Sequence, residues 1–187
     1  MTTTAEPTKP AASKGGGLAG MVVADSSVSF VDGSNGILEY GGYDIRVLAE
    51  HSTFEEVAYL LWNGHLPTAA ELDEMNRQAR ACRFMPPEII AALRNMPRNA
   101  DPMAVMRTAT SMLAHYDPES EDNTLGAHQH KACRLVGQLS GVVAAYERIR
   151  RGEEPVKPRM DLNHAANFLW MLTGDEPDEQ AAKALDQ

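Results

Sequence analysis

Cysteine, cationic charge and long apolar runs are all scarce in this sequence, and each shortage closes off a class of function. The 187 residues hold two cysteines, Cys82 and Cys133, far apart and outside any Cys-x-x-Cys pattern. That usage points to neither a disulfide framework nor a zinc site, but to reduced thiols in a cytoplasmic protein, each inside an expected helix. Seventeen lysines and arginines face 26 aspartates and glutamates, giving a net charge of −9 and a pI near 5.1. An acidic balance argues against nucleic acid and against an anionic membrane surface as partners. No apolar run approaches the length of a membrane span, and the richest stretches, such as Val57–Trp62, are interrupted by polar residues within two turns.

What is present is length and apolar content enough for one domain with a sizeable core: 43% of the residues are hydrophobic. Met1–Gly17 is rich in Thr, Ala, Pro, Lys and Gly. It has neither the apolar core of a secretory signal nor the arginines of a mitochondrial transit peptide, so residues 1–17 are expected to be a disordered tail preceding a domain over 18–187. The glycines Gly15–Gly17 are followed by no Gly-Lys-Ser/Thr, which excludes a phosphate loop.

Two short extended runs, Ser27–Val31 and Ile37–Tyr40, flank the glycine-rich link Asp32–Gly36 and predict a β-hairpin. Almost every segment after it reads as helix. Ser52 with Glu55 forms a capping box for a helix to Asn63, with Phe54, Val57, Ala58 and Leu61 on one face and Gly64 as its stop. A second box, Thr68 with Glu71, opens a helix to about Phe84. Pro86-Pro87 precedes a short helix over Glu88–Met96, and Asp101-Pro102 caps another.

The longest helix is predicted over Thr124–Arg151. Its stripe of His128, Ala132, Leu135, Leu139, Val142, Tyr146 and Ile149 is expected to be buried. Beside it lie Cys133, Gly137, Ser140, Gly141 and Ala144, small residues that call for the close approach of another helix. Asp161–Leu172 is apolar on nearly all sides and reads as a central helix. Pro177–Gln187 begins as a helix with acidic residues in its first turn and carries no stop signal, so it is expected to be cut short at the chain end. The fold class is mainly α, multi-helical with a small N-terminal β-hairpin, and no solenoid repeat is present.

Candidates for chemistry are few. Of the six histidines, His128 and His130 stand two apart, on nearly opposite sides of a helix, so one metal cannot take both. His128, on the apolar stripe, is expected to be a hydrogen-bonded core residue. His51 and His65 read as loop residues, His115 as a helix C-terminus, and His164 opens the central helix. None has an acid–base partner legible in sequence. The basic group Arg148, Arg150, Arg151, Lys157 and Arg159 is of a kind that binds a phosphate. The preferred expectation is that it complements a helix terminus and pairs with Glu153 and Glu154. Asp117, Glu119, Glu121 and Asp122 lack the spacing of a calcium loop and read as a solvated turn.

Several blocks in one order carry a resemblance: Ser29–Ile45 running into Ser52–Gly64, then Asp101-Pro-Met-Ala-Val-Met-Arg-Thr-Ala, Arg148-Ile-Arg-Arg-Gly-Glu-Glu-Pro-Val and His164–Gly174. From about Gly17 onward the chain resembles the N-terminal part of the citrate synthase family, including the citrate and 2-methylcitrate synthases. The resemblance implies a portion of a large helical domain. The implied activity condenses acetyl-CoA or propionyl-CoA with oxaloacetate, an acyl transfer of the tricarboxylic acid cycle type, with acyl-CoA as substrate and no covalently bound cofactor. It implies a carboxylate base, neutral histidines that polarise the ketone, and arginines that hold the substrate carboxylates. It also implies that these groups lie further along the family's length, so no catalytic residue and no metal ligand is carried over to this chain, and the chain alone is expected to be inactive. Partners implied are the two substrates and either a second copy or a complementary chain, met through helices. The alternative is a non-catalytic subunit that docks onto a full-length synthase; an unrelated all-α binding module is a third reading. Relatives carry an arginine before the second glycine of the hairpin exit, where this chain has Gly41-Gly42, and that departure is expected to loosen the backbone locally.

Overall fold

Residues 26–187 are described by a computed structural model; the tail expected over 1–17 lies outside the described residues. β1 (Ser29–Asp32) pairs antiparallel with β2 (Ile37–Tyr40), Ser29 opposite Tyr40 and Asp32 opposite Ile37. The first turn is held by the Asp32 carboxylate, which accepts from the Ser34 and Asn35 backbone N–H groups at 3.0 and 3.2 Å. A third strand, β3 (Tyr43–Asp44), completes a meander that the sequence pattern did not predict.

β2 and β3 are joined by Gly41-Gly42 alone, with φ of +55° and +85°. Two consecutive positive φ values are what a two-residue turn between twisted strands requires. A Cβ at Gly41 would also stand 2.9 Å from Cδ1 of Leu60, a side chain only 1% exposed. Gly41 is therefore the point of close approach to the helical body, while an added Cβ at Gly42 would meet nothing within 4 Å.

Eight helices follow. α1 (Ile45–His51), capped by Asp44, was not legible: it is seven residues long and buries only Leu48. α2 (Phe54–Asn63) is capped by Thr53 and Glu56, not by Ser52 and Glu55. Both registers satisfy the capping-box pattern in Ser52-Thr53-Phe54-Glu55-Glu56. Ser52 is taken because it ends α1, its N–H donating to the Leu48 carbonyl at 2.9 Å. The shift turns the expected face: Glu55, Ala58 and Leu60 are buried, and Phe54 is exposed.

α3 (Ala69–Ala81) opens on the predicted box of Thr68 and Glu71 and stops three residues short of Phe84. α4 (Pro87–Arg94) and α5 (Pro102–Leu113) start at their prolines, and Asp101 caps α5 through the Ala104 N–H at 2.9 Å. A single 3-10 turn, Ala114–Tyr116, leads to α6 (Leu125–Arg151), capped by Thr124. α7 (His164–Thr173) and α8 (Glu179–Asp186) begin at Asn163 and Asp178, so Pro177 lies before the last cap rather than in the first turn.

The core lies where α4 and α5 pack on the C-terminal half of α6: Ile89, Leu93, Val105, Ala109, Leu113, Val142, Ala145, Tyr146 and Ile149. The Tyr146 hydroxyl reaches the Pro97 carbonyl at 2.8 Å, so the buried phenol is satisfied. Along the N-terminal half of α6 the expected stripe fails. His128 and Leu135 are exposed, and the buried positions there are Ala127, Cys133, Gly137 and Gly141. The reason is α3, which lies against the small residues so closely that a Cβ at Gly137 would meet the Ala79 carbonyl oxygen at 2.9 Å. The close helix approach read from those residues is thus present. α7 packs on α6 and buries Ala165, Ala166, Asn167 and Met171, while Phe168, Leu169 and Trp170 are half-buried.

Candidate functional site

Three polar or charged side chains are buried among the described residues: Glu55 at 8% exposure, Arg83 at 3% and Asn167 at 1%. They converge on the start of α7. One oxygen of Glu55 accepts from the His164 backbone N–H at 2.8 Å, which places the carboxylate at the positive end of the helix. Arg83, just past α3, donates from one guanidinium nitrogen to the Arg159 and Leu162 carbonyls at 2.6 and 2.8 Å. Asn167 accepts from the Arg159 N–H at 2.8 Å and completes the segment leading into α7. His164 stacks on Phe54, ring centroids 4.6 Å apart. Asp186, near the end of α8, accepts from the Phe54 N–H at 3.3 Å.

The electrostatics follow from burial. Desolvation lowers Arg83 to about 10, with Arg80 adding repulsion, so it stays charged at neutral pH. Burial pushes His164 below its ordinary 6.5; Glu55 opposes that shift and Arg83 reinforces it. Burial raises Asp186 above its ordinary 3.8. Among the described residues no buried side-chain nitrogen or oxygen lacks a hydrogen-bond partner. The cluster is a closed joint of α2, α7, α8 and the end of α3. A cleft of about 670 Å³ lies beside it, with Arg80, Asp161, Asn163, Glu176, Lys183 and Asp186 among its wall residues.

The joint makes stability depend on pH. An imidazole whose pKa is lowered by folding binds fewer protons in the folded chain than in the unfolded one, so stability falls as pH drops through and below about 6.5. The raised Asp186 acts in the opposite sense, above about 3.8, so the two effects oppose each other where their windows meet. His164→Phe keeps an aromatic face for Phe54 and is expected to flatten the loss of urea-unfolding midpoint between about pH 7.5 and about pH 5.5. An unchanged slope would contradict a buried, neutral His164.

Elsewhere the candidates are engaged or isolated. Arg148 lies between two helix ends, donating to the Thr173 carbonyl at 2.8 Å and the Glu154 carbonyl at 2.7 Å, with Glu153 at 3.0 Å. The Glu154 side chain is taken by Arg94, a partner the sequence did not indicate. Arg150 and Arg151 share Glu147, and Arg159 pairs with Asp161 and Glu176. The acidic turn is not merely solvated. Asp117 and Glu119 both hold Arg134, at 2.7 Å each, and His130 Nδ1 lies 3.0 Å from Glu119, which ties the turn to α6.

His51 ends α1 and so is helical, against expectation; His65 contacts the Leu66 carbonyl at 3.1 Å; His115 lies in the 3-10 turn. Cys133 is buried in α6, and Cys82 is the C-cap of α3 rather than an interior residue. Neither Glu55 nor Arg83 was a candidate site residue in sequence. Glu55 was assigned to the wrong capping register, and a lone arginine between a helix and two prolines gives no signal.

A three-stranded meander followed by packed helices, with its buried polar groups spent on joining helix ends, defines a helical framework. The family described as "Citrate synthase, C-terminal domain" matches residues 17–187. Citrate synthase of Deinococcus radiodurans is 41% identical over 170 residues, covering 91% of this chain and 45% of that protein. The 2-methylcitrate synthase of Mycobacterium tuberculosis is 40% identical over 171 residues, covering 91% and 43%. The crystal structure of citrate synthase from Pyrobaculum aerophilum superposes with a TM-score of 0.84 at 35% identity, over 91% of this chain and 44% of that one. Citrate synthase from Thermoplasma acidophilum, in ternary complex with carboxymethyl coenzyme A and oxaloacetate, gives 0.85 at 25% identity, over 91% and 45%. The chain belongs to the citrate synthase family, and it spans about half the length of the curated relatives it matches.

Proposed function

We propose that this chain serves citrate or 2-methylcitrate synthesis, the condensation of acetyl-CoA or propionyl-CoA with oxaloacetate, as the N-terminal helical framework rather than as the source of the reacting groups. The superposition on a synthase holding a coenzyme A analogue and oxaloacetate carries the reading. Relatives with both names match equally well, which supports the reaction class without choosing the acyl chain. The framework role is supported by what the buried polar residues do: Glu55, Arg83 and Asn167 spend their hydrogen bonds on backbone groups and on one another's helices. An acid–base pair poised over a thioester methyl group needs a carboxylate free to face substrate, and Glu55 is committed. On this reading the site works in a cytoplasmic enzyme and draws on acyl-CoA as substrate, with no covalent cofactor.

The second reading, a non-catalytic subunit docking onto a full-length synthase or onto a second copy, is favoured by apolar side chains exposed on α5 and α6. Met103 is 67% exposed, Leu125 77% and Val143 38%.

The purified chain, incubated with acetyl-CoA or propionyl-CoA and oxaloacetate, is expected to form no citrate or 2-methylcitrate above a protein-free control, read by mass spectrometry of the product. Product that scales with chain concentration through repeated purification would overturn the framework role.

A further inference from the structure

Cys82 and Cys133 are distant in sequence and adjacent in space. Cys82 ends α3, and its backbone lies on α6 at Gly137, where an added Cβ would stand 3.1 Å from the Cys82 carbonyl carbon. Cys133 is four residues before Gly137, about 6 Å along the axis and on the same face. The two thiols are neighbours. A solvent-open cleft of about 420 Å³ between α2, α3 and α6 has Cys133 in its wall, with Trp62, Met75 and Gln78. Helix axes usually stand about 8–10 Å apart, and the glycine contact brings α3 and α6 closer than that at the turn between the two cysteines.

We infer that Cys82 and Cys133 form a modification site, a dithiol that a small hydroperoxide converts to a disulfide fastening α3 to α6. Cys82, half-buried, reacts first. Burial pushes Cys133 up to about 11 and keeps it a neutral thiol, so it is not the sulfur that meets the peroxide; it enters only once a sulfenic acid stands beside it. The Cys82 thiolate attacks the outer oxygen of the hydroperoxide; the O–O bond breaks, the alcohol (water, for hydrogen peroxide) leaves with the proton, and Cys82 becomes a sulfenic acid. The Cys133 sulfur then attacks Cys82 Sγ, the S–O bond breaks, and water leaves carrying the Cys133 proton. Two thiols are oxidised by two electrons in total, and one peroxide is reduced. The bond closes a loop carrying α4 and α5.

The test uses the whole chain, reduced and then exposed to hydrogen peroxide, with free thiols alkylated after unfolding. The expected result is loss of two hydrogens from the intact mass, loss of both alkylatable thiols, and a Cys82–Cys133 peptide cross-link. Dithiothreitol is expected to reverse all three, and the oxidised form to melt at a higher temperature than the reduced one. In Cys133→Ala, peroxide is expected to leave Cys82 as a sulfenic acid that dimedone traps. Two alkylatable thiols after peroxide, or a cross-link between chains instead of within one, would overturn the assignment, and the wild-type readout decides even if the variant fails to fold.

Discussion

Gly137→Ala is expected to destabilise the chain by about 1–3 kcal/mol, although alanine is the better helix former by about 1 kcal/mol. The added methyl would stand 2.9 Å from the Ala79 carbonyl oxygen and 3.1 and 3.2 Å from the carbonyl carbon and oxygen of Cys82. All three are backbone atoms, so no rotamer change makes room, and α3 must move away from α6. That movement loosens Met75 and Ala79, which α3 buries. Gly126→Ala, in the first turn of the same helix with nothing within 4 Å of its added Cβ, is the control, expected to be neutral or stabilising by up to about 1 kcal/mol. Urea midpoints of the two variants measure the difference. A Gly137→Ala protein as stable as the unchanged chain would mean that α3 and α6 lie further apart than described.

The same contact shows what was legible in the sequence and what was not. Two interior glycines with Cys133 and Ala144 announced a close helix neighbour, because a bare backbone in mid-helix is costly unless something packs on it. They did not say which helix. The answer, α3, decides which face of α6 is buried, and the periodic stripe through His128 and Leu135 pointed to the wrong one at that end. Periodicity reports where apolar residues recur; a face of glycine and alanine that packs backbone to backbone carries little of that signal. Helix starts were read well where one residue satisfied the cap, at Thr68, Asp101 and Thr124. The reading slipped at Ser52-Thr53, where two registers were equally good locally and the end of α1 chose between them.

The candidate site was less legible still. Glu55 and Arg83 act on backbone groups more than seventy residues away in sequence, and no local pattern encodes such a partner. Gly41-Gly42 is the converse case. The missing arginine suggested slack, and only the strand pairing of Tyr40 with Tyr43 shows that the two glycines make a turn needing positive φ twice.

The second large effect concerns activity itself, and a graft measures it. Residues 26–187 are placed in the 41%-identical citrate synthase of Deinococcus radiodurans in exchange for the segment they match, the rest of that protein being kept. If this chain is a framework for the family's reaction, the grafted protein is expected to form citrate from acetyl-CoA and oxaloacetate within about tenfold of the unaltered parent, a loss of about 1.4 kcal/mol in transition-state stabilisation at most. Cooperative thermal unfolding recorded on the same sample establishes that the graft is folded. A folded graft that forms no citrate would contradict the framework account.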